Sequence, residues 1–158
     1  MKYIVSIIVL FTFLWSCSTT KKTELTNEEA MELYISDEEQ AAFNTTGGKD
    51  TVEIADDSTE YRIIIIDPGF YTWLNSIARP EGYYSQQYME SRNNIYVINW
   101  NQRVMNPQQF NPNLYEMQID YSPNIDYGYE VNYKLYNYFL YFQRKYNQRL
   151  GPFYPRIN

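Results

Sequence analysis

An apolar run near the N-terminus ends just before the only cysteine of the chain. The run extends from Ile4 to Trp15, after a start that carries the positive charge of Lys2, and Cys17 follows it. A membrane-spanning helix needs about 20 apolar residues, so this run is too short to span comfortably and has the length typical of a signal peptide. A single cysteine also excludes an intramolecular disulfide and a CxxC redox pair.

The residues before this cysteine resemble the lipobox of bacterial lipoproteins. Leu14 stands three residues before Cys17, and the small residue Ser16 stands directly before it. The resemblance implies cleavage before Cys17, thioether lipidation of its side chain and acylation of the new N-terminus. Each buried methylene contributes about 0.8 kcal/mol, so two or three acyl chains would hold the protein stably on a bilayer. The alternatives are an ordinary cleaved signal peptide with an incidental cysteine, or an uncleaved anchor.

Charge divides the chain into segments. Residues 18–60 hold 12 acidic residues and three lysines, whereas residues 61–158 hold seven acidic and nine basic residues. We predict a signal peptide at 1–16, a lipidated cysteine with an acidic flexible tether at 17–50, and a Tyr-rich domain at 51–158. The acidic segment is interpreted as a solvated spacer, with a docking segment as the alternative. Because no basic face or basic run is present, nucleic acid is not an expected partner.

Hydrophobic periodicity predicts an α+β domain. Alternating or continuous apolar residues indicate strands at 51–55, 61–66, 95–101 and 114–121. Helical spacing indicates a helix capped by Asp67 with Pro68 at its first position, a short helix at 83–92, and a long helix at 127–150. We therefore expect a small two-layer domain, with a three- to four-stranded sheet packed against the long Tyr-rich C-terminal helix and one or two short helices.

Two stretches of this domain resemble a known family. They are DPGFYTWLNSIARPEGYYSQQYMESRN at 67–93 and YSPNIDYGYEVNYKLYNYFLYFQRKYN at 121–147. Together with the Cys17 signal, they resemble a family of small uncharacterised lipoproteins of Bacteroidota that carry a domain of unknown function. The resemblance covers roughly residues 51–150. It implies an envelope address, and it implies no activity, ligand or catalytic residue.

The residue types present exclude several chemistries. The chain contains no histidine, which excludes Ser-His-Asp and Cys-His catalysis and every His-containing zinc site. Carboxylate pairs can do acid–base work without histidine, and the candidates are Asp67, Asp120, Asp126 and Glu130. We interpret Asp67 and Asp126 as helix caps and Glu130 as a first-turn charge, and the 120–126 spacing fits no calcium-loop consensus. The sequence therefore predicts no catalytic residue, no metal and no cofactor, and it favours a non-enzymatic role.

Aromatic residues make up 18% of the chain, and most of them are tyrosines, of which there are 18. Trp73 and Trp100, with Arg79 or Arg92 as hydrogen-bond donors, would suit the floor of a glycan site, but both tryptophans fall on predicted buried faces. We therefore expect the tryptophans to pack in the core. The long helix carries more aromatic surface than a small sheet covers, which favours either a broad core edge or a binding face for another protein.

Two hypotheses from different classes follow. The favoured one is an envelope lipoprotein anchored at the outer membrane through the lipid on Cys17, acting as an accessory module that binds another envelope protein. The alternative is a periplasmic or surface lipoprotein that binds or processes glycans. In lipoproteins of this group, surface display is associated with acidic residues directly after the cysteine. Residues 18–22 contain none, which favours the periplasmic face.

Overall fold

The fold is mainly helical. The computed structural model describes the backbone of residues 34–46, 51–56 and 59–157, and the side chains of residues 34–46 and 67–157. These residues belong to one compact unit, Met31–Asn158. Cys17 and the predicted signal peptide lie outside the described residues. Within the part described, no helix is both long enough and apolar enough to cross a membrane.

The described residues form four helices and one hairpin. The elements in chain order are helix α1 (Asp37–Phe43), strands β1 (Thr51–Asp56) and β2 (Thr59–Ile66), and helices α2 (Phe70–Ser76), α3 (Gln86–Val104) and α4 (Gly128–Lys145). The two strands pair antiparallel, with Thr51 opposite Ile66. The predicted two-layer α+β fold with a three- to four-stranded sheet is therefore wrong, because residues 95–101 and 114–121 do not form strands.

Helix α4 is the centre of the domain. From Val131 to Arg144 every residue except Lys134 is buried, so the helix is enclosed on almost all sides. A helix that is apolar around most of its circumference requires this surrounding, because no face of it is suited to water. It ends earlier than the predicted residue 150: Asn147 adopts a left-handed backbone with φ 48°, and the N–H of Gln148 donates to the carbonyl of Gln143 at 2.8 Å. This is the Schellman arrangement that closes many helices.

Helix α3 replaces both the short helix predicted at 83–92 and the strand predicted at 95–101. The buried residues Met89, Asn93, Tyr96 and Trp100 recur at helical spacing and face the core. The sequence pattern does not predict this continuous helix, because the polar residue Asn93 interrupts the apolar repeat. Its side-chain amide donates to the backbone and side-chain oxygens of Asn132 on α4, both at 3.1 Å. That pairing satisfies the donor side of the buried amide, while its Oδ1 has no hydrogen-bond partner in the described part of the chain.

The prediction of a strand at 114–121 is wrong, because this segment is irregular and begins in a turn, where the N–H groups of Leu114 and Tyr115 donate to the carbonyl of Asn111 at 3.0 and 3.2 Å. No described strand pairs with it, and the residues predicted to form its neighbour are in α3. Instead, the side chain of Asn101 accepts from the N–H of Ile119 at 2.8 Å and donates to the carbonyl of Ile119 at 2.9 Å. One asparagine thus supplies the two hydrogen bonds that a strand partner would supply at this position.

Helix α1 packs against the domain, although it falls in the segment 17–50 that we predicted to be a tether. Ser36 caps the helix by accepting from the N–H of Glu39 at 3.2 Å, and Ala42 and Phe43 are buried in the core. The acidic residues of its first turn are Asp37, Glu38 and Glu39, which suit the positive end of the helix dipole. The folded unit therefore includes residues that precede Thr51.

Candidate functional site

A buried ion pair connects α1 to α4. The guanidinium of Arg144 donates to Glu39 through Nε and Nη2, both at 2.5 Å. The indole N–H of Trp73 donates to the same carboxylate at 2.9 Å. Arg144 also donates to the carbonyls of Pro155 and Tyr34, each at 2.9 Å. This cluster joins both ends of the described chain to the central helix. Because the Glu39 carboxylate, the Arg144 guanidinium and the Trp73 indole N–H are all paired, its role is structural.

A second buried cluster surrounds Asp67. This carboxylate lies 2.8 Å from Lys145 Nζ and 3.1 Å from the hydroxyls of Tyr141 and Tyr146. Burial, and then the charge of Asp67, raise the pKa of both tyrosines above the ordinary value. The predicted helix cap is wrong, because the residue that precedes α2 at the cap is Gly69, which has φ 91° and forms no side-chain cap. Asp67 is a buried partner of Lys145.

The other candidate carboxylates do not form a site with Asp67. Asp120, Asp126 and Glu130 are all exposed. Glu130 pairs with Lys134 at 2.6 Å, and Asp126 accepts from the N–H of Gly128 at 2.9 Å. Among the residues described, no three Cys, Asp or Glu side chains are grouped closely enough to hold a metal ion.

The two tryptophans are core residues, as we expected from their positions in the sequence. Trp73 is fully buried, and Trp100 is almost fully buried with its indole N–H donating to the carbonyl of Met117 at 2.9 Å. Neither ring is accessible to a sugar, so the glycan platform that we considered for these tryptophans is not present.

The aromatic surface of the last helix is covered by the domain itself. The hydroxyl of Tyr133 donates to the carbonyl of Arg79 at 2.8 Å. The ring of Tyr136 packs edge-on against Tyr84 at 5.1 Å, and burial raises the pKa of Tyr136. The prediction of a protein-binding face on α4 is therefore wrong, and a candidate binding surface must lie on another element.

Helix α3 presents apolar side chains to solvent. Ile98 and Met105 are 49% and 61% exposed, and Tyr88 is 38% exposed. These residues and the half-buried Ile95 are separated by seven, three and seven positions, which places them on the side of α3 opposite its buried stripe. We call these four residues the α3 outer face. The exposed residues Gln87, Ser91 and Gln102 lie on the same side of α3, so polar side chains separate these apolar ones. Tyrosine and methionine are among the residue types enriched at protein interfaces.

A shallow groove of about 390 Å³ adjoins one end of the α3 outer face. Besides Tyr88 and Ile95 of that face, its lining includes Ser85, Gln87, Ser91, Arg92 and Phe153. The guanidinium carbon of Arg92 lies 3.2 Å from the ring centre of Phe153 and 5.1 Å from that of Tyr88. The two rings therefore hold the guanidinium in one orientation.

The groove is equipped for binding and lacks an activated nucleophile. Ser85 Oγ accepts from the N–H of Tyr88 at 3.2 Å, and Ser91 Oγ donates to the carbonyl of Gln87 at 2.9 Å. No general base contacts either hydroxyl in the described part of the chain, and a serine needs such a base to attack a substrate.

Sequence reasoning missed the α3 outer face because it assigned residues 95–101 to a strand. Once these residues are read as a helix, the spacing of Tyr88, Ile95, Ile98 and Met105 is visible in the sequence. The predicted lipid-anchor residue, Cys17, lies outside the described residues.

Comparisons with known proteins identify the family of this chain. No curated protein and no solved structure matches the chain. One protein-family model does match, over residues 5–153 and thus over most of the chain. The chain belongs to the family of unknown function DUF6146.

Proposed function

We propose that this chain is a lipid-anchored accessory protein of the bacterial envelope that binds another envelope protein through the α3 outer face. The observation that carries the proposal is the row of apolar side chains on the solvent side of α3. Exposing them costs free energy that a partner would recover, at about 25 cal/mol for each Å² of apolar surface buried. The arginine beside them, Arg92, is of a residue type enriched at interface centres.

A protein partner is favoured over a glycan by the surroundings of the exposed tyrosine. Sugars bind to tyrosine by stacking on an open ring face. One face of Tyr88 stacks with Tyr84 at 5.2 Å and 11°, and the guanidinium of Arg92 also packs on the ring. The flexible thioether of Met105 and the branched side chain of Ile98 suit the packing of a protein surface.

The experiment is a pull-down of the full tagged chain from gently solubilised envelopes. The variant Ile98→Asp with Met105→Asp places two charges on the α3 outer face, and a stoichiometric partner should be lost. The matched control is Met117→Asp with Ile125→Asp, which changes two side chains that are 66% and 50% exposed outside that face. The control should retain the partner. Loss of the partner in both variants, or in neither, would contradict the proposed face.

The anchor is tested separately. We propose that lipid on Cys17 holds the chain at the outer membrane, on its periplasmic face, since the sequence around Cys17 resembles a lipobox and residues 18–22 contain no acid. Cys17→Ser should abolish incorporation of labelled fatty acid. Labelling that survives the substitution would exclude Cys17 as the lipidated residue, and protease accessibility in intact cells would distinguish the two faces.

A further inference from the structure

The guanidinium of Arg92 has no polar partner in the described part of the chain. Its Nη1 is buried without a hydrogen bond, and its guanidinium carbon lies 3.2 Å from the ring centre of Phe153 and 5.1 Å from that of Tyr88. No described group accepts a hydrogen bond from Nε or Nη2, and neither of these atoms is buried. The Nε–Nη2 edge of the Arg92 fork therefore has no described partner and is not fully buried, and two aromatic rings pack on the guanidinium.

Arg92 lines the groove that adjoins the α3 outer face. Gln87 and Ser91 line the same groove. Because Gln87 lies in the first turn of α3, it also lies at the positive end of the dipole of a 19-residue helix. The first turn contains no acidic residue that would offset this potential.

Two carboxylates near the start of α3 are engaged by Gln86. Asp126 and Glu90 both accept from the side-chain amide of Gln86, each at 2.8 Å. Neither forms an ion pair with Arg92. The groove therefore combines a fixed cation, a helix N-terminus and an amide side chain, and none of its lining residues is acidic.

We propose that this groove binds an oxyanion, a carboxylate or a phosphate group, carried by a small ligand. Arg92 would bind two oxygens through Nε and Nη2, and the side-chain amide of Gln87 would donate to the same group. The fork of arginine matches two oxygens of one anion, a geometry that lysine does not reproduce. The apolar remainder of the ligand would lie on Ile95. The groove shares Tyr88, Arg92 and Ile95 with the surface proposed above for a protein partner, but anion binding does not require that partner and is tested without it.

The test uses the full chain labelled with ¹⁵N-arginine, in a non-ionic detergent. The Nε–Hε resonance of Arg92 is identified by its disappearance in Arg92→Met. Sodium glucuronate and inorganic phosphate are titrated separately, and sodium chloride of equal ionic strength serves as reference. We expect a saturable shift of this resonance with at least one of the two anions, and the anion that saturates distinguishes carboxylate from phosphate.

Three variants separate recognition from folding. Arg92→Lys keeps the charge and removes the fork, and it should weaken binding at least about tenfold, measured calorimetrically. Gln87→Glu leaves Arg92 in place and supplies a carboxylate inside the groove, which should abolish binding of the added anion without loss of stability. Lys134→Met removes one positive charge elsewhere and should bind the anion as the unmodified chain does.

Two results would overturn the proposal. One is a response of Arg92 to glucuronate and phosphate no larger than its response to sodium chloride. The other is undiminished anion binding in Gln87→Glu, which would place the bound anion outside the groove.

Discussion

Replacement of Glu39 by glutamine tests whether the N-terminal helix is an integral part of the domain. The substitution keeps the size of the side chain and removes its charge. Glu39 and Arg144 are only 2% and 5% exposed, so the guanidinium would be left inside the protein without its counter-ion. Removing one partner of a buried pair costs about 3–5 kcal/mol.

The structure places the expected loss in the lower part of this range. Arg144 keeps its hydrogen bonds to the carbonyls of Pro155 and Tyr34, which partly compensate the buried charge. The amide oxygen of the introduced glutamine would still accept from the indole of Trp73. We therefore expect Glu39→Gln to lower the free energy of unfolding by about 3 kcal/mol, or the Tm by roughly 10 °C.

Urea unfolding of the full chain, followed by helical circular dichroism, measures this loss. The matched control is Glu130→Gln, which neutralises a carboxylate that is exposed and paired with Lys134 four residues away. That pair should contribute no more than about 0.5 kcal/mol. A loss below about 1 kcal/mol in Glu39→Gln would refute the reasoning, since it would mean that α1 leaves the domain easily. The double variant Glu39→Gln with Arg144→Gln should lose less stability than the sum of the losses of the two single variants.

Three further predictions concern the remainder of the fold. Burial raises the pKa of Tyr96 to about 12, so its contribution of about 3 kcal/mol to the free energy of unfolding is present below pH 10 and is lost as pH rises through about 12. Alkaline unfolding that coincides with the appearance of tyrosinate absorbance would show this loss, whereas full helicity with all tyrosines ionised would contradict it. Gly69→Ala should lower the free energy of unfolding, measured by thermal unfolding, by about 3 kcal/mol, because a Cβ there would meet the carbonyl oxygen of Ala42 at 2.6 Å. Gly82→Ala, where φ is 83° and the space is open, should lower it by about 1 kcal/mol, and equal losses in the two variants would exclude the clash. Asn101→Ala should speed hydrogen exchange at the N–H of Ile119, its bonded partner, and unchanged exchange would show that this bond does not protect the amide.

The tyrosines explain how a core of this size is assembled without many aliphatic residues. Tyr96, Tyr138 and Tyr141 are almost fully buried. Tyr138 packs against Tyr141 at 6.4 Å, and Tyr96 and Tyr141 pack against phenylalanine rings at 5.4 and 5.5 Å. The hydroxyl of a buried tyrosine needs a polar partner, as that of Tyr141 has in the carbonyl of Pro68 at 2.6 Å. Among the tyrosines whose side chains are described, Tyr34, Tyr83 and Tyr88 are exposed and the others are buried or half-buried, so the tyrosine-rich composition indicates mainly interior packing.

Local pattern identified the elements whose signals are short-range. The helix at 127–150 was predicted because its apolar residues repeat at helical spacing over many turns, and α4 lies within that range. The helix after Pro68 was predicted for the same reason, and Phe70 and Trp73 are buried as expected. In both, adjacent turns of one helix carry enough information to specify the element without its neighbours.

Tertiary contacts decided the elements that the sequence left ambiguous. The pattern of apolar residues at 95–101 is compatible with a strand and also with a helix. The helix that continues through this segment buries the amide of Asn93, which requires a hydrogen-bond partner. Asn132, on an element about 40 residues away, is that partner, and no local pattern contains this information.

The N-terminus shows the same division. The sequence by itself determined the signal-like run, the single cysteine and the acidic composition of residues 18–60. It did not determine that Glu39, one acid among 12, would enter the core, because acidic residues in a polar segment are normally solvated. The fold decided this by placing Arg144 and the indole of Trp73 against that one carboxylate, since a buried charge is tolerated only where such partners meet it.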